Sequence, residues 1–197
     1  MQSDNPFTRE YFDGMFADNP DPWNFETSAY ELDKYRHTLE ELPLPRFRRV
    51  LEVGCANGAL TEKLAPRCDA LIAIDVVEAA LERGRARMAG QPHVEFQNLY
   101  TPYQVPEGPF DLILLSEVVC YWDDEGIDIM AEYLRYALEP GGHVLMVQYI
   151  LETGYPKTGD EAIEALQRCA GPSFKVLKAL RRPEYRLDLW QYLPDAA

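Results

Sequence analysis

The chain has 197 residues, with 19 Lys and Arg against 33 Asp and Glu, a formal net charge of −14. Hydrophobic residues make up 47 % and charged residues 26 %, the proportions of one ordinary globular domain rather than of a disordered chain. So acidic a surface repels nucleic-acid phosphates and anionic lipid heads, and points instead to a small cationic or neutral partner, with no nucleic acid and no membrane.

The opening stretch Met1–Pro6 has neither the basic nor the apolar region of a signal peptide, so a cytoplasmic location is expected. The longest apolar runs fall far short of the roughly 18 residues of a membrane span. A short helix is expected over Thr8–Ala17, capped by Thr8, with Tyr11, Phe12, Met15 and Phe16 on one side. The loop Asp18-Asn19-Pro20-Asp21-Pro22 ends it. Thr27–Leu42 reads as a second helix, stopped by Pro43 and Pro45. The period then changes. Strands are expected at Arg49–Gly54, Ala70–Asp75, His93–Gln97, Phe110–Ser116 and His143–Tyr149. Helices are expected at Ala59–Ala65, Val77–Ala89 and Asp123–Leu138, the last stopped by Pro140-Gly141-Gly142. Thr101–Gly108 looks like a turn in place of a full crossover helix. Alternating strands and helices with near-continuous apolar strands predict an α/β fold, a parallel sheet covered on both faces. A helix over Asp160–Cys169 follows, then strands Phe174–Leu180 and Tyr185–Trp190. Only Arg181-Arg182-Pro183-Glu184 joins that last pair, which permits an antiparallel hairpin and excludes a crossover.

Cys55, Cys68, Cys120 and Cys169 form no CxxC pair and read as free thiols in a reducing compartment. His37, His93 and His143 lie apart from any ligand cluster, so no metal is expected.

Glu52-Val53-Gly54-Cys55-Ala56-Asn57-Gly58 sits where a strand becomes a helix. Small residues there let a ligand approach the backbone and the helix N-terminus. A dinucleotide fingerprint would need glycines at 54, 56 and 59, where the chain has Gly54, Ala56 and Ala59; a Walker A ending is absent. A tight turn serving only packing is the other reading of the loop. Asp75 ends the next strand about 20 residues on, where a nucleoside cofactor needs a carboxylate for its ribose hydroxyls. Read alone, Asp75 is equally a helix cap.

The pattern Glu-x-Gly-x-Ala-x-Gly resembles the cofactor loop of class I, Rossmann-like methyltransferases that use S-adenosylmethionine (AdoMet). Phe110-Asp111-Leu112-Ile113 and Leu138-Glu139-Pro140-Gly141-Gly142 resemble later segments of the same class, and the likeness spans residues 48–193. Tyr11-Phe12, Met15-Phe16, Asp21-Pro22-Trp23-Asn24-Phe25, Tyr30-Glu31, Lys34-Tyr35 and Ser116–Trp122 together resemble the nodulation protein S family, methyltransferases acting on the amine of a deacetylated chitooligosaccharide. The resemblance implies a seven-stranded, mostly parallel sheet with an antiparallel C-terminal hairpin. It also implies an N-terminal helical lid over residues 1–46 ahead of a catalytic domain over 47–197. AdoMet would be the cofactor, S-adenosylhomocysteine the product, and the protein a monomer or homodimer.

Within that frame Glu52, Gly54, Cys55, Ala56, Gly58, Asp75, Val76, Asn98, Leu99, Tyr100 and Ser116 are the expected cofactor residues. Asn98 stands where relatives usually carry Asp and would read the adenine amino group through its carbonyl. Arg36 would fork the methionine carboxylate, with Lys34 and Tyr35 beside it; a solvated surface cation is the alternative. Glu117 and Tyr121 are the catalytic candidates, Glu117 holding or deprotonating an ammonium group. Its alternative is a structural carboxylate that binds backbone N–H groups of the following turn. Trp23, Tyr30, Trp122, Tyr149 and Tyr155 are the expected substrate residues, the aromatics of the lid being equally suited to simple packing. The rival functions are O-methylation of a small molecule and a non-catalytic AdoMet sensor; nicotinamide chemistry is disfavoured by the glycine count and the closing hairpin.

Overall fold

A computed structural model describes residues 6–194. The chain forms two compact units, divided between Thr101 and Pro102. The first holds α1 (Arg9–Asp18), α2 (Ala29–Glu40), β1 (Phe47–Val53), α3 (Ala59–Leu64), β2 (Cys68–Asp75), α4 (Glu78–Arg87) and β3 (Val94–Asn98). β2 runs between β1 and β3 and parallel to both. Val50, Leu51, Val53, Leu71, Ala73 and Ile74 are almost fully buried, as an unalternating apolar run requires. The Thr8 hydroxyl caps α1 by accepting from the Tyr11 amide. Ser28 caps α2 by accepting from the Glu31 amide, so the helix starts at Ala29 and not at Thr27.

Residues ahead of β1 share a compact unit with the first three strands. Long-range hydrogen bonds make the attachment: Arg67 donates to the carbonyls of Leu39, Leu44 and Pro45, and Arg83 to that of Pro20.

The second unit holds β4 (Phe110–Ser116), α5 (Asp124–Ala137), β5 (Leu138–Tyr149), α6 (Gly159–Ala170), β6 (Phe174–Arg181) and β7 (Tyr185–Tyr192). β4 and β5 are parallel, and β7 is antiparallel to both β5 and β6. In sheet order the seven strands run β3-β2-β1-β4-β5-β7-β6, the mostly parallel sheet with its antiparallel C-terminal pair. Ile127, Met130 and Leu134 bury one face of α5, and the Asp123 carboxylate caps it by accepting from the Gly126 amide at 2.8 Å. No helix occurs over residues 99–109. No helix among the described residues is long and apolar enough to cross a membrane.

β5 departs from expectation. It starts at Leu138, ahead of Pro140-Gly141-Gly142, and not at His143. Phe110 pairs with Leu138 and Leu112 with His143, so the intervening residues bulge out of the ladder. Gly141, at φ 84°, takes the left-handed backbone this needs.

α6 begins one residue early, at a Thr158/Glu161 capping box that the S/T-x-x-E spacing announces. Its first residue, Gly159, lies against the end of β5. A Cβ there would overlap the Tyr149 carbonyl oxygen and sit 2.9 Å from Gln148 Cγ. Alanine favours helices over glycine by up to about 1 kcal/mol, so helix propensity and packing oppose one another here. Gly159→Ala is expected to destabilise by about 1–3 kcal/mol, the usual cost of overpacking. The urea midpoint should fall; an unchanged midpoint would show that α6 can step back from β5.

Candidate active site

The loop after β1 turns through three left-handed residues, Gly54 (φ 81°), Ala56 (φ 46°) and Gly58 (φ 78°). Two are glycines; Ala56 carries strain that something else must hold. Asp75 supplies the hold. Its Oδ2 accepts from the Ala56 amide at 2.9 Å and its Oδ1 from the Val77 amide at 3.0 Å. The cap reading of Asp75 is thus realised at the Val77 amide, ahead of α4, and the same carboxylate also holds the Ala56 amide of the loop. Burial pushes its carboxyl up, against the N–H groups of Val77, Ala56 and Val76 and the Arg9 guanidinium. Gly58 is cramped as well: a Cβ would stand 3.1 Å from Gly84 Cα.

Glu52 lies beneath the loop, wholly buried. Its Oε2 accepts from the Thr61 hydroxyl at 2.6 Å, and its buried Oε1 has no partner among the described residues. Burial pushes this carboxyl up to about 7, against the lowering hydrogen bond from Thr61 and with a further push from Asp75. Cys55 is buried and its thiol is pushed well up, so its backbone is what it can offer a ligand.

The ends of β2 and β3 are covered by the start of the chain. Arg9 Nη1 donates to the Val76 carbonyl at 2.7 Å and to Asn98 Oδ1 at 2.5 Å. Asn98 Nδ2 donates to the carbonyls of Val76 (2.8 Å) and Asp75 (3.2 Å), and the Leu99 amide also donates to Asp75 O. The Tyr100 hydroxyl donates to the Phe7 carbonyl at 3.4 Å. This corrects the expectation for Asn98: its carbonyl accepts from Arg9, a residue the sequence did not single out, and its amide braces the strand end.

Arg36 is a second correction. It is exposed and paired with Asp33 (2.5 Å) and Glu40 (2.7 Å), one turn away in either direction on its own helix. Lys34 is buried against Glu31 at 3.0 Å and lies 4.9 Å from the centroid of the half-buried Tyr30 ring. Trp23 packs between Phe16 and Phe25, with centroids at 5.8 and 5.4 Å. Glu26, also unforeseen, ties this segment to the glycine loop. Its Oε1 accepts from Asn57 Nδ2 (3.2 Å), Arg83 Nη2 (2.8 Å) and Arg87 Nη2 (2.7 Å).

In the second unit, the residue after β4 is again strained: Glu117 has φ 56°. Its backbone N–H donates to the Val147 carbonyl at 2.9 Å. Its Oε2 accepts from the Tyr149 amide at 2.6 Å and from Gln148 Nε2 at 3.2 Å. The backbone N–H that Glu117 accepts from thus comes from the neighbouring strand β5 and not from the following turn. Tyr121 packs against Tyr155 with centroids 4.7 Å apart and the rings tilted at 58°, and burial holds its hydroxyl well above the ordinary phenol value. Trp122 is buried, while Ser116 and Tyr149 are half-buried. Glu117, Tyr121, Tyr149 and Tyr155 thus gather around the ends of β4 and β5. Gln148 completes the group; inside an apolar strand run, nothing in its spacing marked it.

The family model for nodulation protein S (NodS) matches residues 15–143. Nodulation protein S of Sinorhizobium fredii (strain NBRC 101917 / NGR234) is 37 % identical over 127 residues, 64 % of this chain and 59 % of that protein. The chain spans little more than half the length of such curated relatives, 59 % and 53 % for the first two. The crystal structure of N-methyltransferase NodS from Bradyrhizobium japonicum WM9 with S-adenosyl-L-homocysteine superposes with a TM-score of 0.82 at 24 % identity, over 93 % of this chain and 98 % of that one. A putative methyltransferase from Pseudomonas syringae superposes with a TM-score of 0.70 at 34 % identity, over 83 % of this chain and 99 % of that one.

Proposed function

We propose a reaction for this chain from one premise: it belongs to the nodulation protein S family, whose model covers residues 15–143. The reaction is transfer of a methyl group from AdoMet to the nitrogen of a small amine or amino sugar, by a cytoplasmic monomer or homodimer. The observation that carries it is Asp75, a carboxylate held at the end of β2 beside a left-handed glycine loop by the Ala56 and Val77 amides. The likeness to a NodS structure holding S-adenosylhomocysteine supports it.

The residues present fit a nucleoside cofactor. The loop is cramped at Gly58 and strained at Ala56, and the buried Glu52 Oε1 beneath it is unsatisfied. Asp75 would hold the ribose hydroxyls. Backbone of Gly54, Cys55, Ala56 and Gly58, with Glu52 and Ser116, would hold the amino-acid end, and Val76, Leu99 and Tyr100 the adenine. When bound, AdoMet supplies an electrophilic methyl group on a sulfonium. Glu117 holds the acceptor's ammonium group and takes its proton at the carboxylate, exposing the nitrogen lone pair. Tyr121, Trp122, Tyr149 and Tyr155 orient the acceptor. Residues 1–46 act as the lid to the 47–197 catalytic region, Trp23 and Tyr30 helping to exclude water.

Mass spectrometry of an amine panel incubated with AdoMet tests the reaction, a methylene's mass on an amine nitrogen being the expected product. A gain on hydroxyls alone would replace it with O-methylation. No gain on any compound, with S-adenosylhomocysteine still binding, would leave a cofactor sensor. The site claim has its own test. Asp75→Ala is expected to weaken S-adenosylhomocysteine binding by about 1–3 kcal/mol in calorimetry; unchanged affinity would remove Asp75 from the ribose.

A further inference from the structure

Gln148 lies in β5 with 1 % exposure, next to the apolar run Val144–Val147. Its two amide ends have unequal fates. Nε2 donates to Glu117 Oε2 at 3.2 Å and lies 3.1 Å from Cys120 Sγ. Oε1 is buried and has no partner among the described residues. The orientation places the NH₂, which can only donate, on the Glu117 oxygen that accepts from it. A buried carbonyl without a donor costs stability. Leucine or methionine would fill the space without that cost, so packing does not account for an amide here. What the amide contributes lies at Nε2, on Glu117.

We propose that Gln148 is a positioning residue for the acceptor carboxylate. Glu117 Oε2 is clamped from two directions, by Gln148 Nε2 and by the Tyr149 amide at 2.6 Å. Gly159 of α6 packs against this end of β5: a Cβ there would overlap the Tyr149 carbonyl oxygen and sit 2.9 Å from Gln148 Cγ. The Glu117 backbone is itself confined to the left-handed region at φ 56°. Two donors on one oxygen fix the plane of the carboxylate and hence the direction in which it meets a cationic N–H. The substrate class this selects is an amine that arrives protonated, held by direction as well as by charge. The inference rests on the methyl-transfer reading and adds to it a residue that acts through Glu117.

Gln148→Met and Gln148→Leu in the full chain test it, assayed with the amine that the wild-type protein methylates fastest. The expected result is a kcat lower by about 10²-fold, the scale of a misplaced reacting group. KM for AdoMet and the affinity for S-adenosylhomocysteine should stay within about twofold, and Tm should hold or rise as the orphaned carbonyl is removed. A structural role predicts the reverse pattern, Tm falling in step with rate. That pattern, or wild-type kcat in a folded variant, overturns the proposal while leaving methyl transfer standing. A wild-type protein that methylates no amine in the panel overturns both, and does so before either variant is assayed. The two replacements differ in branching, so a variant that misfolds through poor fit leaves the other to decide.

Discussion

Glu117→Gln is expected to lower turnover of an amine acceptor by on the order of 10²–10⁴-fold, the range of a lost general base, with S-adenosylhomocysteine affinity unchanged. The substitution is nearly isosteric and removes little but charge. Glu117 Oε2 now accepts from the Tyr149 amide at 2.6 Å, and a glutamine carbonyl can accept the same N–H. The local structure therefore survives, and what goes is the negative charge that would hold an ammonium group and the base that would take its proton. The competing role, a carboxylate that only braces β5, makes the opposite prediction. Glutamine would then turn over normally, and Glu117→Ala would lower Tm by leaving the Tyr149 N–H unpaired. Measuring kcat, Tm and calorimetric affinity for the two variants separates the roles.

Stability is expected to fall as pH rises from about 4.5 to about 7, with Glu52 the main contributor and Asp75, also raised by burial, acting in the same direction. The Glu52 carboxyl, ordinarily at 4.5, is raised to about 7 chiefly by burial. Between those values the folded state holds a proton on Glu52 that the unfolded chain has released, so raising the pH favours unfolding. The loss begins near 4.5, is complete above about 7, and amounts to about 3 kcal/mol. Asp124, Asp160 and Glu161 are held below their ordinary values, so what they contribute is lost only as pH falls beneath this window. His143 is held below 6.5 by burial and pulls the other way within it. The difference between wild type and Glu52→Gln is therefore the proper measure. Urea unfolding at pH 5 and pH 8 should show the variant gaining on wild type at the higher pH. Parallel pH profiles would mean that Glu52 titrates alike in both states.

Much of the glycine-loop region was legible in the chain. Gly54, Ala56 and Gly58 lie in a short loop whose backbone must turn sharply, and Asp75 follows at the spacing of one strand–helix–strand unit. Both depend on local geometry, which residue type and separation dictate. The capping box at Thr158 and Glu161 was written in the same local code. Long, flexible or amphoteric side chains were harder to place. Arg36 sits two helical steps from buried Lys34, on a turn where Asp33 and Glu40 satisfy it in solvent, whereas Arg9 reaches the strand ends. Asn98 can give or take a hydrogen bond at either end, and its neighbours, not its identity, chose.

By itself, then, the sequence determined the order of strands and helices, the antiparallel closing pair, the left-handed loop and the carboxylate beside it. Each follows from periodicity, chain length or backbone sterics over a few residues. The tertiary structure alone decided the partners. Arg9 meets Asn98 across 89 positions, Glu26 meets Asn57 across 31, and Gln148 meets Glu117 across 31. No local preference specifies such pairs. They arise because packing the apolar strands and helices leaves particular polar atoms within reach of one another, and a buried polar atom must then be paired or left at a cost. At Gln148 that choice leaves one end of the amide paired and the other not.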